Sequence, residues 1–513
     1  MNEILAKVTE YNNVVNGAIW GAFGLILLIG TGILITFLTK FFQISHIGHW
    51  WKNTIGSLFH KDVIGHSKDK KSISPFQALC TALAATIGVG NIAGVAAAIA
   101  TGGPGAVFWM WIAAFFGMMT NYAENVLGIY FRRKNKDGEW SGGAMYYLRD
   151  GLGKVPGYEW LGKALAGIFC VFTLLASFGI GAMGQINKIV VNVESAFKNA
   201  SLSNIEVFDG VSIYSVILGV VLVVIAALIT LGGLKRIASF AEKVVPFMVI
   251  LFVGGSIILI AVNFASIIPA FKAIFATAFG IKPAVGGVVG VTISTVIQQG
   301  FKRGVFSNEA GLGSSVMVHS NSNIKEPVKQ GMWGIFEVFA DTMVVCTITA
   351  LVVLTSGLYD LNSFSLAAGT TDATLVANSF DSVFSFGIGF GSKFVAIAIA
   401  LFAFTTVLGW DHYGTKAWEY LFGSTTTKIY KVIHLVTIFL GAVLTSSLAW
   451  DISDTFNGLM MIPNLIGVVA MSSLVFQITK NYIDRNIKHK TQIKPMLSAY
   501  KDIQKEQENN LNQ

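Results

Sequence analysis

Residues 81–94 read Thr-Ala-Leu-Ala-Ala-Thr-Ile-Gly-Val-Gly-Asn-Ile-Ala-Gly, an apolar stretch with glycines at its centre. A backbone that crosses a bilayer is normally one continuous helix, because hydrocarbon offers no water to its N–H and C=O groups. Gly88 and Gly90 weaken that helix at mid-depth, and Thr86 and Asn91 place polar side chains beside them. Such a break is tolerated where it lines a protected cavity, in which helix ends bind a carboxylate and free carbonyls bind a small cation. The stretch therefore predicts a transport site built largely from backbone.

The composition indicates a polytopic membrane protein. Of the 513 residues, 53% are hydrophobic and 12% are charged, and the mean hydropathy is +0.64. Soluble domains carry about 25% charged residues, so we expect one membrane bundle rather than several soluble domains. The three cysteines, Cys80, Cys170 and Cys346, lie in apolar stretches and have neither disulfide nor metal spacing. No cleavable signal peptide is predicted, since the first apolar run has full spanning length.

Apolar windows long enough to cross, at about 20 residues each, predict eleven spans. They cover 14–38, two spans within 74–131, then 164–187, 211–234, 244–271, 283–301, 331–354, 387–410, 432–450 and 455–479. Between the first two spans, the aromatic and basic stretch 41–59 is typical of an interfacial amphipathic helix. The polar, lysine-rich residues 486–513 predict a loosely ordered tail.

The distribution of basic residues predicts the orientation. Six segments on one side hold 30 of the 36 Lys and Arg residues: 40–75, 131–163, 235–243, 302–329, 416–431 and 480–505. Cytoplasmic loops carry the excess of Lys and Arg, so we expect the N-terminus outside and the C-terminus in the cytoplasm of a cell-membrane protein. This dispersal also excludes a nucleic-acid-binding patch as the explanation of the net charge of +8.

Several motifs resemble the alanine/glycine:cation symporter family, also described as sodium:alanine symporters. They are Thr86-Ile-Gly-Val-Gly-Asn-Ile-Ala-Gly-Val95, Gly102-Gly-Pro-Gly-Ala106, Asn121-Tyr-Ala-Glu-Asn125, Gly142-Gly-Ala-Met-Tyr-Tyr147 and Gly300-Phe-Lys-Arg-Gly-Val-Phe-Ser-Asn-Glu-Ala-Gly-Leu-Gly-Ser-Ser315. The likeness runs from about Gly17 to Gln477, and the last motif is the most specific.

The resemblance implies an all-α, leucine-transporter-like fold of two inverted five-helix repeats with one extra N-terminal helix. The expected organisation is an extracellular N-terminus (1–13), the extra helix (14–38), a cytoplasmic or interfacial segment (39–73), repeats at 74–271 and 283–479, and a cytoplasmic tail (480–513). The first helices of the two repeats occupy matching positions. The second contains Gly286, Gly287 and Gly290, so it too is predicted to be interrupted.

The function that the resemblance implies is sodium-coupled import of a small neutral amino acid, alanine or glycine. A glutamine-preferring or proton-coupled carrier of the same fold is the nearest alternative, and a channel or membrane receptor is the alternative from another class. We expect no enzymatic activity and no cofactor besides the coupling ion. ATP drive is not expected either, because no Gly-x-x-x-x-Gly-Lys-Ser/Thr motif occurs in the sequence.

Candidate substrate-binding residues surround the glycine-rich break. Backbone amides from Gly88 to Asn91 would receive the substrate carboxylate, with Thr86 beside them. Gln185 has an amide that can bond either end of a zwitterion, or simply bond another helix. Trp410 is either a belt residue near the cytoplasmic end of its span or the aromatic floor of a small pocket. Thr292 and Thr295 are candidate neighbours on the seventh span.

The resemblance also implies a sodium site. In this fold a pair of hydroxyl groups on the ninth span, here Thr405 and Thr406, completes a cation site with carbonyls of the first repeat helix. By motif alignment those carbonyls belong to Ala84 and Ile87. Oxygen ligands alone suit a hard cation such as sodium. The alternative is that the threonines bond back to their own helix.

Charged residues near membrane depth have structural and functional interpretations. Intramembrane carboxylates are functional candidates because their burial is costly, yet structural pairing is the leading interpretation for Glu124, Glu337 and Asp341. Proton coupling by Glu337 or Asp341 stays open. Residues 300–315 hold Lys302, Arg303 and Glu309 and are predicted to form a cytoplasmic loop, as a gate or latch.

Overall fold

A computed structural model describes residues 2–59, 71–197, 205–208, 211–279, 292–361, 365–366, 372–384, 389–444 and 447–511. Within these residues nine helices are long and apolar enough to cross a membrane, and a bent helix pair forms a further span. In chain order they are span 1 (Ala6–Leu38), span 2 (the bent pair Pro75–Thr86 and Gly90–Gly102), span 3 (Gly105–Tyr130), span 4 (Glu159–Ala196), span 5 (Ile213–Thr230), span 6 (Gly233–Val262), span 8 (Pro327–Thr355), span 9 (Phe390–Phe422), span 10 (Ser424–Val443) and span 11 (Asp451–Ala470). We number as span 7 the shorter broken helix Ile293–Asn308 and Val316–His319, because it packs along span 3.

Short elements connect the spans. The connecting helices are Phe42–Ser45, Ile47–Asn53, Ala144–Asp150, Ile267–Ala278, Asp372–Val383, Ser472–Tyr482 and Lys501–Leu511. Three antiparallel hairpins pair Arg133–Lys134 with Trp140–Ser141, Glu206–Phe208 with Val211–Ser212, and Tyr359–Asp360 with Ser365–Leu366.

Burial separates central spans from peripheral ones. In its most apolar window, span 9 is 78% buried and spans 3 and 11 are each 67% buried, whereas spans 5, 6 and 10 are 28% buried. Because apolar surface can face lipid without penalty, the peripheral spans keep large exposed side chains such as Ile217, Ile250 and Val432. The central spans are therefore the ones that can surround a site.

Span 2 is interrupted where its sequence predicts. Its first helix begins with a capping box, in which Ser74 and Gln77 bond each other's backbone amides, and it ends at Thr86. The backbone leaves the helical region at Ile87, with ψ of 87°, and helical structure resumes at Gly90. The two halves are bent by 54°.

Span 7 differs from its prediction. Pro283 and the glycines up to Gly290 lie outside the described residues, and the described helix begins at Ile293 and runs to Asn308. The predicted cytoplasmic loop at 300–315 is wrong, because its first half is this helix and its second half is a buried break. In that break Glu309, Gly311 and Gly313 have φ of 54°, 93° and 73°.

Contacts with span 3 show that span 7 crosses the whole bundle. A methyl group on Gly300 would lie 2.5 Å from the carbonyl oxygen of Ala106, at the start of span 3. Gly128, near the end of span 3, has no room for a methyl group because Val316 occupies that space. The two spans therefore run side by side in the same direction, with Lys302 near one end of the bundle. Lys302 and Arg303 therefore no longer count as residues of a cytoplasmic loop. The segments predicted to be cytoplasmic still hold 28 of the 36 Lys and Arg residues.

Both termini contain helices that the sequence does not predict. The expected polar terminus 1–13 is part of a helix, Asn2–Ile19, which continues after a short interruption into Ala22–Leu38. The tail after residue 486 is not loosely ordered up to Leu511. The amide of Ala499 donates to the Tyr130 carbonyl at 2.9 Å, and the helix Lys501–Leu511 follows.

Candidate functional site

A small cavity lies where the breaks of spans 2 and 7 meet spans 4, 9 and 11. Its volume is about 20 Å³, which is room for about one water molecule and far below the roughly 300–1,000 Å³ of pockets for drug-sized ligands. Its walls are Ala85, Thr86, Gly88, Gly90, Ile180, Gln185, Phe306, Glu309, Thr406, Trp410 and Asn457. The cavity thus brings together six of the predicted residues: Thr86, Gly88, Gly90, Gln185, Thr406 and Trp410.

The break in span 2 frees backbone carbonyls. The amide of Gly88 donates to Asn91 Oδ1 at 2.9 Å rather than to the Ala84 carbonyl four residues earlier. The amide of Asn91 donates to the Gly88 carbonyl at 3.2 Å rather than to that of Ile87. The carbonyls of Ala84 and Ile87, the two predicted ligands, therefore do not receive the hydrogen bonds that they would accept in a continuous helix. A buried carbonyl in that position needs another partner, and a cation can supply it.

Thr405 and Thr406 lie on span 9 at the level of this break. Both hydroxyls donate to the Phe402 carbonyl, at 2.9 Å from Thr405 and 3.0 Å from Thr406. A methyl group on Gly88 would lie 2.6 Å from Thr406 Oγ1, so that hydroxyl faces span 2 directly. Because each hydroxyl oxygen still has lone pairs when it donates, bonding back to the helix and binding a cation are compatible.

Gln185 and Trp410 both lie at mid-span instead of near span ends. Span 4 contains a π-helical turn, Gly179–Met183, and then continues to Ala196, so Gln185 sits well inside it. Gln185 Nε2 donates to the Ile180 carbonyl at 3.3 Å, while its Oε1 has no hydrogen-bond partner among the described residues. Span 9 continues twelve residues beyond Trp410. A methyl group on Gly181 would lie 2.6 Å from Trp410 Cβ, so the indole packs across the cavity.

Sequence reasoning missed three wall residues, Phe306, Glu309 and Asn457. Glu309 is only 3% exposed, and its carboxylate accepts a hydrogen bond from the Ser314 hydroxyl, with Trp410 beside it in the cavity wall. It is the one carboxylate in the described cavity wall. Gly311 and Gly313, which follow Glu309 closely, could have indicated a break in the helix here, because glycine tolerates positive φ.

Three predicted substrate residues are not in the cavity wall. Thr292 caps the start of span 7, where its hydroxyl accepts from the Thr295 amide at 3.2 Å, and Thr292 is exposed. Asn91 is fully buried behind the break. The sequence predicts that the Gly88 amide receives the substrate carboxylate. That prediction is wrong, because the Gly88 amide already donates to Asn91 Oδ1.

Behind the cavity, Asp341 of span 8 connects the two broken spans. Its Oδ1 accepts from Asn91 Nδ2 at 2.7 Å, and its Oδ2 accepts from the Ser307 and Thr342 hydroxyls, each at 2.8 Å. The other two carboxylates that the sequence analysis treats as structural, Glu337 and Glu124, also have hydrogen-bond partners. Glu337 Oε2 lies 2.9 Å from His319 Nε2, and Glu124 accepts from the Gly313 amide at 3.1 Å.

One end of the cavity is closed by an ion pair, and we call this the Lys302 end of the bundle. Lys302 Nζ lies 2.7 Å from Asp454 Oδ2. Lys302 precedes the wall residue Phe306 by four residues on span 7. Asp454 precedes the wall residue Asn457 by three residues on span 11. The pair therefore lies about one helical turn from the cavity on both spans. Asn16 of span 1 bonds both partners, at 3.4 Å to Lys302 and 3.1 Å to Asp454. The opposite end, where Lys416 bonds Ser141, is called the Lys416 end.

Comparisons with known proteins agree with this architecture. A model of the sodium:alanine symporter family matches residues 5–496. The chain is 42% identical over 470 residues to the sodium/alanine symporter AgcS of Methanococcus maripaludis, covering 92% of this chain and 96% of that protein. It is 36% identical over 485 residues to the probable sodium/glutamine symporter GlnT of Bacillus subtilis, covering 94% and 91% of the two chains.

A solved structure supports the fold. The crystal structure of MhsT in complex with L-phenylalanine aligns with 80% of this chain and 99% of that chain, with a TM-score of 0.52 and 12% sequence identity. At that identity the likeness concerns the fold alone. The predicted all-α, leucine-transporter-like membrane fold is confirmed, with the number of spans approximate.

Proposed function

Because this chain belongs to the sodium:alanine symporter family, we propose that it imports a small neutral amino acid, alanine or glycine, together with sodium. The observation that carries the proposal is the cavity between the two broken spans. It combines backbone at Gly88 and Gly90, one carboxylate at Glu309, and a threonine hydroxyl on span 9. These are the groups that a zwitterion and a hard cation require.

The substrate's charged groups have separate partners in this proposal. The Glu309 carboxylate and the unpartnered Oε1 of Gln185 accept hydrogen bonds from the substrate ammonium group. The substrate carboxylate binds backbone amides at the start of the second half of span 2, at Val89 and Gly90, because the first amides of a helical segment lack partners within it. Phe306 and Trp410 border the remaining space, so a short side chain fits best.

Sodium occupies the space between spans 2 and 9 in this proposal. Its ligands are the carbonyls of Ala84 and Ile87 and the hydroxyls of Thr405 and Thr406. Sodium bound there holds the break of span 2 against span 9 and so organises the amides that receive the substrate. Binding of one solute then favours binding of the other, as linkage requires.

Alternating access follows from the two ends of the cavity. We place the Lys302 end outside and the Lys416 end in the cytoplasm, following the basic residues of the loops. The Lys302–Asp454 pair closes the outer route, and its rupture would open the cavity to the outside. Closing this pair and opening the other end would release substrate and sodium inward.

An uptake screen tests the proposal. Purified protein in liposomes is supplied with each labelled amino acid, with external sodium present or replaced by choline. We expect sodium-dependent accumulation of alanine or glycine. Sodium-dependent accumulation of glutamine alone would favour the glutamine carrier instead, and a failure of counterflow, in which labelled substrate accumulates against trapped unlabelled substrate, would favour a channel.

A further inference from the structure

A second cavity lies on the Lys416 side of the proposed sodium site. Its volume is about 270 Å³. Its wall includes Ile73, which immediately precedes Ser74, the N-cap of span 2, and also Asp411 and Thr415 of span 9. Asp411 follows Thr406 by five residues, or roughly 7.5 Å along the helix. Gly409 lies between them and packs on Ala85, where a methyl group would approach the Ala85 Cβ to 2.5 Å. The first half of span 2 therefore closes the passage between the two cavities.

Three buried oxygen atoms of the wall residues Asp411 and Thr415 are unpartnered within the described ranges. Asp411 is 1% exposed, and neither of its carboxylate oxygens has a hydrogen-bond partner within the described ranges. The hydroxyl of Thr415 is buried and equally unpartnered. Residues four apart share a helix face, so these oxygens lie one turn apart on one side of span 9. A buried carboxylate in this condition is costly unless a cation compensates it.

Neighbouring cations act on this carboxylate only at a distance and do not hydrogen-bond it. Lys416 lines the same cavity, but its ammonium group bonds Glu419 at 2.9 Å and Ser141 at 3.1 Å. Lys431, also in the wall, donates to the Thr230 carbonyl. The nearest basic atom recorded for Asp411 is His434 Nδ1, at 3.6 Å from Asp411 Oδ1, which is longer than a hydrogen bond.

We propose that Asp411 and Thr415 form a second, transient sodium site, through which the transported ion leaves the Thr405–Thr406 site toward the cytoplasm. The inference rests on the proposed function and extends it. Oxygen atoms of a carboxylate and a hydroxyl are suitable sodium ligands, and the cavity has room for the waters that complete the shell. The carboxylate would lower the electrostatic barrier that a cation meets as it leaves the neutral oxygens of the central site.

The test compares net uptake with exchange in proteoliposomes. Net uptake into a sodium-free lumen requires release of sodium at the Lys416 end, whereas alanine exchange with saturating sodium on both sides does not. For Asp411→Asn we expect net uptake to fall about tenfold, with exchange and the external sodium concentration for half-maximal uptake within about twofold of wild type. Thr415→Val should show the same pattern more weakly.

Thr427→Val is the matched control. Thr427 lies in the same cavity wall, and its hydroxyl is already satisfied by the Ser424 carbonyl at 2.9 Å, so all three quantities should be unchanged. Wild-type net uptake in Asp411→Asn would overturn the inference. An equal loss of net uptake and of exchange would also overturn it, because a merely structural role of Asp411 predicts that result. Sodium-independent uptake by the wild type would instead overturn the proposed function itself, and the same assay shows this before any variant is measured.

Discussion

The side-chain amide of Asn91 donates to the carboxylate of Asp341 at 2.7 Å, across 250 positions of sequence. The same Asn91 accepts the Gly88 amide through its oxygen, and the same Asp341 accepts the Ser307 hydroxyl. One chain of hydrogen bonds therefore runs from the break of span 2, through span 8, to the end of the first helix of span 7. The shape of the cavity depends on this chain, although neither Asn91 nor Asp341 lies in the cavity wall.

Asp341→Asn should weaken substrate binding without changing the coupling ion. The variant removes the negative charge that accepts bonds from Asn91, Ser307 and Thr342, and hydrogen bonds to a charged group contribute about 1.5–3 kcal/mol. We expect the apparent affinity for alanine to fall about tenfold or more. Uptake should keep its sodium dependence and the wild-type pH profile, as should that of Glu337→Gln. Loss of accumulation with intact exchange in Asp341→Asn would instead identify Asp341 as a proton carrier.

Thr406→Ala and Thr405→Ala should each raise the sodium concentration needed for half-maximal uptake. Each removes one of about five or six oxygen ligands, and we expect a shift of about tenfold. Because linkage is reciprocal, the apparent affinity for alanine at fixed sodium should fall too. Thr406→Ser keeps the hydroxyl and serves as the control, with little shift. Unchanged sodium dependence in the Thr405→Ala/Thr406→Ala double variant would place the ion elsewhere.

Glu309→Gln should impair recognition of the substrate ammonium group. Gln keeps the size of Glu309 and an oxygen for the Ser314 hydroxyl, but it loses the charge that strengthens a bond to a cation. A hydrogen bond to a charged group contributes about 1.5–3 kcal/mol, so alanine affinity should fall at least tenfold, measured by equilibrium binding to folded, purified protein. Wild-type affinity in this variant would remove Glu309 from the binding site.

A pair of glycine substitutions tests the close approach of spans 2 and 9. In Gly88→Ala the new methyl group would lie 2.6 Å from Thr406 Oγ1, so the span 2 backbone must shift and sodium-dependent binding of alanine should be lost. Gly94→Ala, in the same span, meets nothing within 4 Å and should bind alanine normally. Normal binding by Gly88→Ala, with protein of wild-type yield, would contradict the packing of these two spans at the site.

The position of the break in span 2 was predictable because its cause is local. Two glycines in an apolar span weaken the helix wherever the rest of the chain lies, and Gly88 and Gly90 do line the cavity. Thr406, Gln185 and Trp410 were identified through the resemblance and through polar or aromatic side chains in apolar spans. Their presence in one cavity agrees with those predictions, while their roles stay proposals.

Glu309 was not predictable by the same reasoning, because its segment carries charges whose partners are distant in sequence. The charge of Lys302 predicts a loop, yet that charge is satisfied by Asp454, more than 150 positions away. Likewise, Asn91 was expected to face the substrate, and its contact with Asp341 turns it away. Hydropathy counts each charge as exposed to lipid or water, so it cannot recognise a charge that is neutralised inside the bundle.

We propose that sodium, bound by neutral oxygens between spans 2 and 9, drives accumulation of the substrate. The most direct test measures labelled alanine in proteoliposomes under two conditions: an inward sodium gradient at equal pH, and an inward proton gradient without sodium. We expect accumulation above the external concentration in the first condition and equilibration at most in the second. Strong accumulation in sodium-free medium with the proton gradient would contradict it.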